Sequence, residues 1–354
     1  MPTLADALEF LRSEVAPRAK DLDESGDAMA SVLREMGKRK LLGLRCPPEF
    51  GGEPLTEAEF RIFQQECARA SGAFAFLQTQ HQSAVALLSK ADNLDLAKEV
   101  LAEVADGTRK VGIGFSQLRR PGEPLLRAER VDEGVILDGH VPWVTGHGHF
   151  PEFLVAGQFP NGEAVFAVVP LRTQSEVTVS NPMKLAAMET ARTVTVDFRR
   201  FFVAWDRVAF CKPAGWIARN DMINVALQGH FAVGNARGSL DVLAAISGAR
   251  RTTNLSDSAD QLESEWLECK TNLERLSETA AEETTEERLL ARAWAIDIMQ
   301  RCAWAAVTSS AGAANATTHP AQRLLREALV FTVSAQTSAI RDATLARLVR
   351  NRDT

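Results

Sequence analysis

The chain has 354 residues, 45% hydrophobic and 24% charged, a composition that builds a buried core and is too apolar for a disordered protein. Lys plus Arg number 40 against 46 Asp plus Glu, a net charge of -6 without the basic excess of a nucleic-acid binder. Tyrosine is absent, which removes phenolic acid–base chemistry and leaves 17 Phe and 6 Trp as the aromatic surfaces.

Leu4, Leu8, Leu11 and Val15 recur at three to four residues, with Asp6, Glu9 and Glu14 between them. That pattern predicts an amphipathic helix and not a signal peptide. A second helix is expected over 28–39. Pro47, Pro48, Gly51 and Gly52 then impose a turn. Thr56 with Glu59 forms a capping-box pattern opening a helix over 57–70. Helices over 74–88 and 94–104 follow, closed by Asp106-Gly107.

At Val111 the hydrophobic period changes from 3.6 to 2. Short apolar runs at 135–146, 153–159, 164–170, 177–180 and 193–198 read as strands, with Asn161-Gly162 the clearest hairpin signal. They predict an antiparallel β-barrel or sandwich. After Pro213 the helical period returns, and four long helices are expected over 221–249, 258–280, 286–309 and 320–350. Short loops between them predict an antiparallel four-helix bundle. The acidic run at 278–287 reads as a solvated turn. The expected organisation is α+β: an N-terminal α-helical domain (1–109), a central β-domain (110–213) and a C-terminal four-helix bundle (214–354).

Five cysteines, odd in number and without a CxxC pair, read as reduced thiols of a cytoplasmic protein. No apolar run is long enough to span a bilayer. His147 and His149 lack a third ligand at useful spacing, so no metal is expected.

The α–β–α order, together with local motifs, resembles the acyl-CoA dehydrogenase superfamily. GLRCPPEFGG (43–52) is similar to that family's Val-Pro-Glu-Glu-Tyr-Gly-Gly turn. VGIGFSQ (111–117) stands where the family has a strand ending in Leu-Thr-Glu. VILDGHVPWVTG (135–146) resembles its Trp-Ile-Thr-Asn-Gly strand, and QRLLREALVFTVSAQT (322–337) its Arg-Asp-Ala helix and Glu-Gly-Thr turn. The resemblance implies a flavoprotein that binds FAD, or less readily FMN, and oxidises an acyl thioester such as an acyl-CoA. It implies a homodimer or homotetramer with an electron-transfer partner. Apolar residues beyond the main stripe of 320–350 (Leu345, Leu348, Val349) agree with self-association.

The resemblance places Trp143, Val144 and Thr145 along the flavin ring, with the Thr145 hydroxyl at N5 and the Ser116 hydroxyl near the pyrimidine end. Thr337 is the threonine of the Glu-Gly-Thr turn. Arg251 keeps the family's phosphate-binding arginine, although Asn254-Leu255 replace its Phe-Gly. The family's Gly-rich Thr-Glu-Pro-Gly run reads QLRRPGEPLL here, and Arg119 and Arg120 are better read as solvated loop arginines than as phosphate ligands. The catalytic base is missing from both expected positions, which read Ala335 and Asn224. Asp221, one turn before Asn224, and Glu189 are the weak alternatives, while Glu327 is expected to partner Arg326 and His230 to sit in the core. Two further readings stay open: an oxygen-using flavin monooxygenase of the same fold, and a non-catalytic scaffold.

Overall fold

The computed structural model describes residues 2–250, 253–281 and 283–349. The first third is helical: α1 (Leu4–Phe10), α2 (Ala19–Glu24), α3 (Gly26–Lys38), α4 (Glu57–Ala70), α5 (Gly72–Leu88) and α6 (Leu94–Ala105). Five of these start on a local cap, since Thr3, Ser25, Thr56, Ser71 and Asn93 each accept an N–H of the first turn. The capping box of Thr56 and Glu59 forms in both directions.

Eight strands follow: β1 (Val111–Gly114), β2 (Leu126–Val131), β3 (Gly134–Val144), β4 (Glu152–Gln158), β5 (Ala164–Pro170), β6 (Val177–Val179), β7 (Val194–Ala204) and β8 (Val208–Lys212). They form one sheet in the order β6-β7-β3-β2-β4-β5-β8, with β1 added parallel to β4. Alternation along β4 and β5 separates two cores. Phe153, Val155, Val165, Ala167 and Val169 join a cluster to which β2 through β8 all contribute, so the sheet curls around its own interior. Leu154, Ala156, Phe166 and Val168 point the other way, into the core shared with the helices. β2 and β8 were not anticipated as separate strands; Arg127, Glu129 and Arg130 dilute the apolar signal of β2, and β8 is five residues long.

The last third comprises α7 (Trp216–Asn224), α8 (Gly229–Arg250), α9 (Thr253–Glu278), α10 (Thr285–Ser310), α11 (Pro320–Val333) and α12 (Ser338–Leu348). Two of the four expected helices are therefore each broken in two, at 225–228 and at 334–337. The reason is a pair of arginines on α10. Arg288 donates to the carbonyl of Ile223, and Arg292 donates to those of Gln228, Phe331 and Ser334. These side chains take carbonyls that a continuous helix would have bonded internally.

All five cysteines are free thiols. Among the described residues no helix is long and apolar enough to cross a membrane, and no group of three or more His, Cys, Asp or Glu is placed to hold a metal ion. Leu329, Val333, Leu345, Leu348 and Val349 are exposed on α11, on α12 and just past its end.

Candidate functional site

A cleft of about 780 Å³ lies where the turn after β1, the β4–β5 hairpin, α7 and the N-terminus of α12 converge. Its aromatic wall is Trp216, whose ring meets Phe166 edge-on at 5.2 Å and Phe115 at 6.4 Å. Among the described residues the charged ones lining it are Arg119, Arg120, Arg341 and Asp221, three guanidiniums to one carboxylate.

The turn Ser116–Arg119 connects the sheet to this cleft. Gln117 anchors it from beneath, its amide nitrogen donating to the carbonyl of Ala156 at 2.8 Å. Ser116 Oγ is buried and has no hydrogen-bond partner among the described residues. Buried hydroxyls are normally paired, because an unpaired one costs about 1–3 kcal/mol. At the far end of the turn, Arg119 Nε and Nη2 donate to the two oxygens of Asp221 at 2.8 and 2.7 Å. This fork-to-fork pair joins the turn to α7, a helix with no fully buried residue.

At the end of β3, Trp143 is 48% exposed, whereas Val144 is fully buried and Thr145 is 5% exposed. Thr145 Oγ lies 3.0 Å from Thr193 Oγ. Gly146 turns the chain here at φ +107°, where a Cβ would collide with the Phe150 ring, so only glycine fits. Beyond it, His149 is buried with Nε2 2.8 Å from the carbonyl of Thr190. Burial and the Arg192 charge hold His147 below the ordinary histidine range; burial is also the main cause for His149.

Thr337 caps α12, its hydroxyl accepting the N–H of Ile340, and it lines the cleft with Gln336 and Ser338. Ala335, two residues earlier, has the left-handed φ of +49°. Asn224 is occupied locally, its amide donating to the carbonyl of Asn220 at 2.7 Å. Glu189 lies away from this cleft, on a second one of about 790 Å³ beside Arg192 and Arg326, where it accepts the N–H of Leu185. Arg251 falls outside the described residues.

Glu327 is fully buried and pairs with Arg323 at 2.8 Å, while Arg326 instead meets Asp23. The expected Glu327–Arg326 partnership is therefore replaced by two separate pairs. Burial pushes the Glu327 carboxyl up, against the pull of Arg323. His230 is a core residue lying 2.8 Å from Gln65 Nε2 and 3.1 Å from Ser277 Oγ, and burial pushes it down to about 3.

Sequence reasoning singled out Arg119 and Asp221 separately and missed their pairing, because 102 residues divide them. It missed Arg341 as a cleft residue, since the continuous helix expected over 320–350 hides an N-terminus there.

A model of the acyl-CoA dehydrogenase N-terminal domain family matches residues 3–108. A probable acyl-CoA dehydrogenase of Bacillus subtilis is 22% identical over 96% of this chain and 94% of its own length. The mitochondrial isovaleryl-CoA dehydrogenase of Pongo abelii is 24% identical over 39% of this chain, and the match spans about a third of that relative, 34%. The solved butyryl-CoA dehydrogenase of Megasphaera elsdenii superposes with a TM-score of 0.81 at 16% identity, covering 98% of this chain and 97% of that one. The chain belongs to the acyl-CoA dehydrogenase superfamily.

Proposed function

We propose that the protein is a flavin-dependent oxidoreductase that binds FAD beside the Ser116–Arg119 turn and oxidises an acyl thioester. The observation that carries this reading is the buried Ser116 Oγ without a partner among the described residues, at the start of the turn whose far end, Leu118 to Arg120, lines the cleft beside Trp216. A polar ring edge supplies the missing hydrogen bond there. Trp143 supplies apolar surface for the ring face, Thr145 a second hydroxyl, and Thr337 a capped helix terminus, whereas Val144, expected beside the ring, is fully buried in the interior of the sheet and faces away from Trp143. A bound flavin would supply a two-electron acceptor for a hydride.

Removing the α-proton of a thioester requires a base in reach of the cleft. Among the described residues Asp221 is the only carboxylate lining it, and Arg119 holds both of its oxygens. The protein presents Asp221 as base only after that pair opens. The Ala335 and Asn224 side chains favour a second reading, an oxygen-using oxidation that needs no carboxylate at either position.

The test is uptake of flavin, followed by absorbance, and then anaerobic addition of a panel of acyl-CoAs. Bleaching of the flavin band is expected. Flavin bound but never bleached by a thioester, with rapid oxygen consumption once the flavin is chemically reduced, moves the assignment to the second reading. No flavin uptake at all defeats both.

A further inference from the structure

The cleft carries more positive charge than its own carboxylate neutralises. Among the described residues Arg119, Arg120 and Arg341 line it against Asp221 alone, and the first turn of the 11-residue α12 opens onto the same space. Arg341 also meets Asp342, but both side chains are more than half exposed, so solvent screens that contact. The Arg119–Asp221 pair is different: its side chains are 25% and 14% exposed and its geometry is bidentate.

A guanidinium fork that holds a carboxylate holds a phosphate equally well, and a diphosphate brings more charge than one aspartate. We propose that Arg119 and Arg120 form a phosphate subsite within this chain, and that Asp221 is its built-in competitor, released from Arg119 when a diphosphate binds. α7 suits that exchange. None of its residues is fully buried, and with Trp216 packed on Phe166 and the Ile223 carbonyl held by Arg288 the exchange asks only the Asp221 side chain to turn, not the helix to move. Ser116 and Arg119 are the two ends of one four-residue turn, so a ring against Ser116 and a phosphate against Arg119 belong to one molecule of dinucleotide length.

This inference rests on the flavin reading for one source of the diphosphate; the other source is the coenzyme A portion of a thioester. Both carry the same group, so the probe is ADP, measured by calorimetry on the whole chain at low and high salt. ADP is expected to bind, more weakly as salt rises, and adenosine is not expected to displace it. Arg119→Met is expected to lower ADP affinity at least about tenfold, the loss of a charge-assisted pair. Asp221→Asn is expected to raise it. Arg120→Gln, at an exposed position that leaves folding intact, is expected to lower it severalfold and to flatten the salt dependence.

Two comparisons separate the sources. Arg119→Met weakening FAD but not riboflavin assigns the subsite to the flavin; weakening coenzyme A but not pantetheine assigns it to the substrate. No ADP binding at millimolar concentration, unchanged binding in Arg119→Met, or lost binding in a folded Asp221→Asn overturns the proposal. Flavin uptake with ADP binding indifferent to Arg119 sinks this inference alone. Arg119-dependent ADP binding without flavin uptake sinks the flavin reading alone.

Discussion

The helices before β1 and those after β8 end by different physical devices. In the first region, Ser25, Thr56, Ser71 and Asn93 each stand at the start of the helix they cap, three residues from the N–H they accept. In the second, Thr337 still caps α12 locally, but the carbonyls at the breaks at 225–228 and 334–337 are held by Arg288 and Arg292, which reach 65 and 64 residues back and 39 and 42 residues forward. A locally capped helix keeps its boundary wherever it packs. A helix ended by a distant guanidinium keeps its boundary only when the third element is in place. The cleft lies between the two breaks of this second kind, so its shape depends on tertiary packing and not on the local Thr337 cap alone.

Removing the distant device tests this most severely. Arg292 is 1% exposed, and among the described residues no carboxylate lies within ion-pair distance of it. Burial pushes it down to about 10, so it stays charged at neutral pH. Desolvating that charge is unfavourable, yet Arg292→Met would leave three carbonyls unsatisfied, at about 1–3 kcal/mol each. The carbonyls outweigh the relief, and a net loss of about 3–5 kcal/mol is expected, comparable with breaking a buried pair. A denaturant midpoint measures it, and Arg292→Lys should recover part of the loss. Unchanged stability in Arg292→Met would show that the breaks hold without it.

The contrast explains which parts of the structure were legible. Residues 57–70 were read to the residue because Thr56, Glu59 and the apolar period all speak locally. The curled sheet was legible from period-2 runs and from the Asn161-Gly162 turn between β4 and β5. The helices expected over 221–249 and 320–350 were read as continuous because neither 225–228 nor 334–337 contains proline or glycine. Their breakers are two arginines that look, in sequence, like ordinary polar residues of α10. The site was legible as single positions, Ser116, Thr145, Thr337 and Asp221, but not as a geometry. Nothing local says that Ser116 Oγ lacks a partner or that Arg119 grips Asp221.

Acid is a milder probe, because each region buries one neutral histidine. His81 in α5 accepts the N–H of Val111 at Nδ1 and lies 3.1 Å from the carbonyl of Leu42 at Nε2. Burial pushes His81 down to about 4 and His230 in α8 down to about 3. Both folded values lie below the unfolded value near 6.5, so the unfolded chain takes up the protons first. Stability is therefore complete above pH 6.5 and falls as pH drops toward the folded values. At pH 5 each histidine accounts for about 2 kcal/mol of loss. Glu327 opposes this, since its raised folded value favours the folded state as acid is added. Urea midpoints at pH 7 and pH 5 should show the fall, and His230→Asn should make it shallower. A flat profile between these pH values would mean that neither histidine stays neutral in the fold.

The smallest effect belongs to the local device. Thr56 is exposed, with its hydroxyl accepting the N–H of Glu59 at 3.2 Å and donating to Glu59 Oε2 at 2.7 Å. The same carboxylate accepts the N–H of Thr56 at 2.9 Å. Thr56→Ala removes the hydroxyl and leaves the N–H of Glu59 to water, which reaches it because the site is at the surface. About 1 kcal/mol is therefore expected, a fraction of the Arg292→Met loss. The helix beyond is held by Phe60, Phe63 and Cys67, all buried, so the damage should be confined to faster hydrogen exchange at Glu59 and its neighbours. If Thr56→Ala instead lowers the midpoint as far as Arg292→Met, the first region is no more locally determined than the second, and the two devices are not distinct.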